Sequence, residues 1–187
     1  VGLLDGQTII FPTETSYGLG CDATNQAAVD RIFSIKGRKS DKPLLIVVPN
    51  IAMAKKILVW NGTLEKLAQQ YWPGPLTIVG DYKGEVALAR GVVGSDKTVA
   101  VRVTAHQLLV SITEKINRPL VATSANVSDL GDVYSLEDIL SQFGNRKEQP
   151  DVVLDYGSLS KRKPTTVVRV LKDGFEVLRA GEMEVKQ

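Results

Sequence analysis

Lys36 and Arg38 flank a single glycine, Gly37, so two cations of different shape can reach one anion. Arginine offers a planar fork that matches two phosphate oxygens, and lysine offers a compact point charge. Further along, Ser124 and Asn126 place a hydroxyl and an amide two residues apart, directly after the apolar run Leu120-Val121-Ala122. Such a pair suits hydrogen bonding to a phosphate or a ribose. In Thr98-Val99-Ala100-Val101-Arg102, strand alternation puts Thr98, Ala100 and Arg102 on one face. An arginine on an otherwise apolar strand needs an anion. The stretch Pro12-Thr13-Glu14-Thr15-Ser16-Tyr17-Gly18-Leu19-Gly20 combines hydroxyls with glycines that allow close backbone approach. Each stretch also has a plainer reading. Cations at a helix end already favour its dipole, and Ser, Thr and Asn are common turn and cap residues.

Other chemistries are disfavoured. His106 is the one histidine, and no acid stands in an obvious relation to it, which leaves a Ser-His-Asp triad without support. There is no zinc-ligand spacing, no phosphate-binding Gly-x-x-x-x-Gly-Lys-Ser/Thr and no Gly-x-Gly-x-x-Gly, so no metal site is expected. A lone cysteine, Cys21, cannot pair internally and fits a reducing cytosol, so the expected location is cytoplasmic. Lys plus Arg is 23 against 21 Asp plus Glu, too balanced for a dedicated non-specific nucleic-acid binder. RNA contact would need a local patch. No apolar run approaches the roughly 20 residues that span a bilayer, so no membrane is expected. With 43% hydrophobic and 24% charged residues, the chain has the composition of a folded domain.

The elements that must position these groups follow from periodicity. Residues 7–12, 44–48, 76–79, 98–103 and 119–123 read as strands, rich in β-branched residues. Asn25 caps a helix whose apolar Ala28, Val29, Ile32, Phe33 and Ile35 share a face, and Gly37 stops it. Further helices are predicted over 52–58, over 63–72 with Thr63 as cap, over 107–116, and over 136–143 with Ser135 as cap. Asp173-Gly174 between apolar runs 166–171 and 175–179 predicts a terminal hairpin. Strands interleaved with helices make an α/β domain. No repeat or linker divides residues 1–187, which read as one domain.

Taken together, the motifs resemble those of a known family. Pro12-Thr13-Glu14-Thr15-Ser16-Tyr17-Gly18-Leu19, Lys36-Gly37-Arg38 with Asp41-Lys42-Pro43-Leu44, Trp72-Pro73-Gly74-Pro75-Leu76-Thr77, Val99-Ala100-Val101-Arg102-Val103, Thr123-Ser124-Ala125-Asn126, and Pro164-Thr165-Thr166-Val167 with Leu178-Arg179-Ala180-Gly181 occur in one order. This set is similar to the YrdC/Sua5 family, the threonylcarbamoyl-AMP synthases, in its short single-domain bacterial form. The resemblance implies a twisted mixed sheet flanked by helices, with a large, concave, electropositive cleft. It implies that L-threonine, bicarbonate or CO2, and ATP give threonylcarbamoyl-AMP and pyrophosphate, with Mg2+ arriving on the ATP. A partner transferase complex would then place the group on position 37 of tRNA. The family's Lys-Arg-Ser-Asn set falls on Lys36, Arg38, Ser124 and Asn126, the expected catalytic group. ATP contacts are expected from Lys36, Arg38, Lys42, Thr98, Asn126, Ser135 and Arg179. Threonine contacts are expected from Thr15, Arg102, Ser124 and Thr165. Ser128-Asp129 stands where Ser-Gly is usual, and Val47 where some members carry histidine. Two alternatives stay open: a double-stranded-RNA or tRNA-binding module, and a carbamoyl-transfer relative acting on another acceptor.

Overall fold

The computed structural model describes residues 2–38 and 42–186. Asp41, part of the second motif, lies outside the described residues. The elements in chain order are β1 (Ile9–Pro12), β2 (Tyr17–Gly20), α1 (Gln26–Lys36), β3 (Ile46–Val48), α2 (Ile51–Ile57), α3 (Gly62–Tyr71), β4 (Leu76–Asp81) and β5 (Thr98–Val103). They continue with α4 (Gln107–Ile116), β6 (Leu120–Val121), β7 (Thr123–Ser124), α5 (Leu136–Phe143), β8 (Val152–Val153), β9 (Thr166–Val170) and β10 (Phe175–Arg179).

The sequence predicts one sheet; the described strands form two mixed sheets, ordered β7-β2-β1-β8 and β10-β9-β4-β5-β3-β6. The predicted strand over 119–123 is where they part. Its first half, β6, pairs with β3, and its second half, β7, pairs antiparallel with β2. The chain therefore passes from one sheet to the other between Val121 and Thr123, just before Ser124. Gly20 makes this crossing possible, because a Cβ there would sit 1.9 Å from the Val121 carbonyl oxygen.

Local chemistry explains most element ends. Asn25 accepts from the Ala28 amide and caps α1, and Gly37 ends that helix in the left-handed region at φ 61°. α3 is capped by Asn61, whose Oδ1 accepts from the Leu64 amide at 2.8 Å, in place of the expected Thr63. The predicted Ser135 cap is present as a capping box with Asp138. Residues 17–20, outside the predicted strands, form β2 by pairing with β1. The short β8 had no sequence signal and joins β1 in parallel. A main apolar core runs from α1 across β3, β4 and β5 to α3, and a second cluster unites Leu3, Ile9, Phe11, Val47, Leu109, Ile116 and Leu120.

Candidate active site

The end of α1 and the turn after β7 are locked together by one ammonium group. Lys36 is 2% exposed. Its Nζ donates to the Ser124 carbonyl, to the Asn126 carbonyl at 2.7 Å and to Asn126 Oδ1 at 3.1 Å. A lysine has three protons to donate, so all are committed within the protein. The turn is tightened further by Ser124 Oγ donating to Asn126 Oδ1 at 2.5 Å. Asn126 Nδ2 donates to the Val127 and Leu130 carbonyls at 3.0 and 2.6 Å. Burial pushes the Lys36 ammonium down to a pKa of about 8, with the Arg38 cation adding to the effect and Asp132 opposing it.

Gly37 turns the chain so that Arg38 projects from the helix end. Its guanidinium donates to the Lys42 carbonyl from Nε at 3.3 Å and from Nη2 at 3.2 Å. It lines a cavity of about 360 Å³ at the meeting of the two sheets, together with Thr15, Arg102, Ser124, Thr165 and Arg179.

The opposite wall is built by alternation. In β5, Val99, Val101 and Val103 are buried in the core, so Ala100 and Arg102 face the cavity. In β4, Leu76 and Ile78 face the core and Thr77 faces the cavity, 3.2 Å from the Thr165 hydroxyl. Arg179, on β10, donates from Nη2 to the Thr165 carbonyl at 2.8 Å and its hydroxyl at 3.1 Å. Burial holds the Arg179 guanidinium below its ordinary pKa, with Asp132 opposing. Arg102 is 4% exposed and donates from Nη1 to Glu14 Oε2 at 3.2 Å. Burial acts to raise the Glu14 pKa, but Arg102, the residue's own backbone amide and His106 outweigh it and hold the carboxyl below its usual range.

Six of the expected residues thus share the cavity wall: Thr15, Arg38, Arg102, Ser124, Thr165 and Arg179. Lys36 and Asn126 do not line it; they hold the turn that carries Ser124. Lys42 is exposed outside the lining, and the Thr98 hydroxyl donates to Asp96 Oδ1 at 2.7 Å instead. The Ser135 hydroxyl is engaged at the start of α5. Val47 is buried in the second core cluster and contributes nothing to the lining. Sequence reasoning missed Asp132, which lies in a loop without local signal yet is placed on the cavity wall. It also missed the role of Glu14 beside Arg102. An arginine predicted to need an anion was the available clue.

The Sua5/YciO/YrdC family profile, described as "Telomere recombination", matches residues 2–181. This chain belongs to that family. It is 35% identical over 187 residues to the threonylcarbamoyl-AMP synthase of Pyrococcus abyssi, covering 98% of this chain and 53% of that protein. The threonylcarbamoyl-AMP synthase of Vibrio vulnificus is 33% identical over 170 residues, covering 89% of this chain and 88% of the relative. The chain therefore spans about half of the archaeal relative and most of the bacterial one. Among solved structures, Sua5 of P. abyssi complexed with L-threonine superposes with a TM-score of 0.86 at 33% identity, over 96% of this chain and 52% of that one. YciO of E. coli shares the fold, with a TM-score of 0.83 at 23% identity over 99% of this chain and 88% of that one. The mixed α/β architecture is thus that of the family. No helix among the described residues is long and apolar enough to cross a membrane.

Proposed function

We propose that this chain is an L-threonylcarbamoyladenylate synthase, using L-threonine, bicarbonate or CO2, and ATP. The observation that carries the reading is one cavity lined by three guanidinium groups, Arg38, Arg102 and Arg179, with the hydroxyls of Thr15, Ser124 and Thr165 between them. Its relatives' names supply the substrate class.

The threonine amine captures CO2 to give an N-carboxylate and releases a proton. That carboxylate attacks the α-phosphorus of ATP, the bond to the β-phosphate oxygen breaks, and pyrophosphate leaves. No protein nucleophile is needed, so catalysis is positioning and charge stabilisation. Arg38 and Arg179 face the phosphates, and Arg102 holds the threonine carboxylate with Thr15 and Thr165 beside the side chain. Lys36 acts through the Ser124–Asn126 turn, whose shape its three hydrogen bonds hold. Mg2+ would arrive on the ATP, bound by phosphate oxygens and water. Among the described lining residues Asp132 is the one carboxylate. The product would pass to a transferase that modifies tRNA.

The test is pyrophosphate release by the purified chain. Release that requires threonine and bicarbonate together is expected. Equal release from ATP alone would overturn the reading in favour of nucleotide hydrolysis. Retention of labelled tRNA or duplex RNA with no such turnover would favour the RNA-binding alternative.

A further inference from the structure

The turn between β1 and β2 points residues in two directions. Thr13 and Thr15 line the cavity, whereas Glu14, between them, reaches across to β5 in the other sheet. Thr13 holds this turn in shape, donating from Oγ1 to the Ser16 carbonyl at 2.6 Å and accepting from the Thr15 and Ser16 amides.

Glu14 divides its carboxylate between two groups on one strand end. Oε2 meets Arg102 Nη1 at 3.2 Å, and Oε1 accepts from the Thr104 hydroxyl at 3.3 Å. Arg102 and Thr104 are buried, and the Glu14 side chain is 23% exposed. Thr104 Oγ1 in turn accepts from the His106 amide, which ties the chain leading into α4 to the same point. No other described residue accepts a hydrogen bond from the Arg102 guanidinium. The contact through Nη1 therefore leaves the remaining N–H groups to the cavity that Arg102 lines.

A buried cation needs an anion before substrate arrives, or its desolvation raises the cost of the empty site. Glu14 supplies that anion from the edge of the guanidinium. A planar fork held at one corner keeps its other donors in a fixed direction, as bidentate capture of a carboxylate requires.

We propose that Glu14 is a positioning residue for the amino-acid substrate: it anchors Arg102 by one corner and aims the rest of the guanidinium at the α-carboxylate. This rests on the reading that Arg102 binds threonine. Glu14 is not placed in contact with substrate.

The experiment compares Glu14→Gln, Arg102→Ala and the double variant, measuring KM for threonine, KM for ATP, kcat and Tm. Gln keeps an oxygen for Thr104 and removes the charge that orients Arg102. The threonine KM of Glu14→Gln is expected to rise about tenfold, the coupling typical of contacting groups. The ATP KM and kcat should stay within about twofold. In the Arg102→Ala background the same change should have no further effect. A Glu14→Gln protein with unchanged threonine KM, while Arg102→Ala loses threonine, overturns the proposal and leaves the function intact. Equal losses for both substrates with a lowered Tm also overturn it, assigning Glu14 to holding the two sheets together. An Arg102→Ala protein with normal threonine KM overturns the underlying assignment of Arg102 as well.

Discussion

Replacing Lys36 by methionine separates the stability of the site from its geometry. Methionine has nearly the length of lysine and no donor. The Ser124 and Asn126 carbonyls would each lose the ammonium, while Asn126 Oδ1 keeps the Ser124 hydroxyl. The Ser124 carbonyl still accepts from the Asn126 amide at 2.9 Å, so one acceptor, the Asn126 carbonyl, is left unmade, at about 1–3 kcal/mol. Against this, the native protein already bears the cost of burying the charge. The fall in pKa from 10.5 to about 8 corresponds to about 3 kcal/mol at neutral pH. The two effects oppose and nearly cancel, so the net change in stability is within about 2 kcal/mol, a Tm change below about 8 °C for a domain of this size. The chemistry has no such offset. Without the ammonium the turn carrying Ser124 relaxes, and a displacement of about 1 Å at a positioned group costs about 100-fold in rate. Thermal unfolding and threonine-dependent pyrophosphate release, measured on the same preparation, make the assay. Near-normal turnover in Lys36→Met would refute the argument that Lys36 works through the turn. A Tm loss beyond about 20 °C would refute the opposing magnitudes.

The Lys36 ammonium should titrate near pH 8, because burial disfavours the charged form. Below that pH all three donors are present; above it one is lost, so activity should fall on the alkaline side. The 13Cε shift of labelled Lys36 follows the proton directly, and a midpoint above about 10 would show that its three acceptors outweigh burial. Asp132→Asn removes a negative charge that faces Lys36 and Arg179. ATP should then bind a few-fold tighter at low ionic strength, with the gain shrinking as salt screens it. Weaker ATP binding, measured by calorimetry with Mg2+ present, would instead make Asp132 a partner of the metal that accompanies ATP.

Much of this protein is legible in its local sequence. The helix caps Asn25 and Ser135, the left-handed stop at Gly37 and the hairpin at Asp173-Gly174 are all present where the residues predict them. Each depends on a side chain satisfying backbone groups within a few residues, or on a φ that only glycine adopts easily. The cavity face of β5 was equally legible, because alternation is a local rule and Arg102 breaks an apolar pattern. Six motifs in one order sufficed to suggest the family. What periodicity could not decide was how the strands divide between sheets. The run at 119–123 has one uninterrupted β pattern, yet β6 and β7 pair with different partners. Pairing is settled by which edges the rest of the chain leaves open. The same holds for the roles of the two central cations. Lys36 and Arg38 look alike as neighbours at a helix end, but the helix aims one inward at the carbonyls of residues 124 and 126 and leaves the other on the cavity wall. Glu14 and Asp132 acquire meaning from groups far away in sequence. A charge takes its role from whatever lies a few ångströms off once the chain has folded, and only the tertiary structure sets that distance.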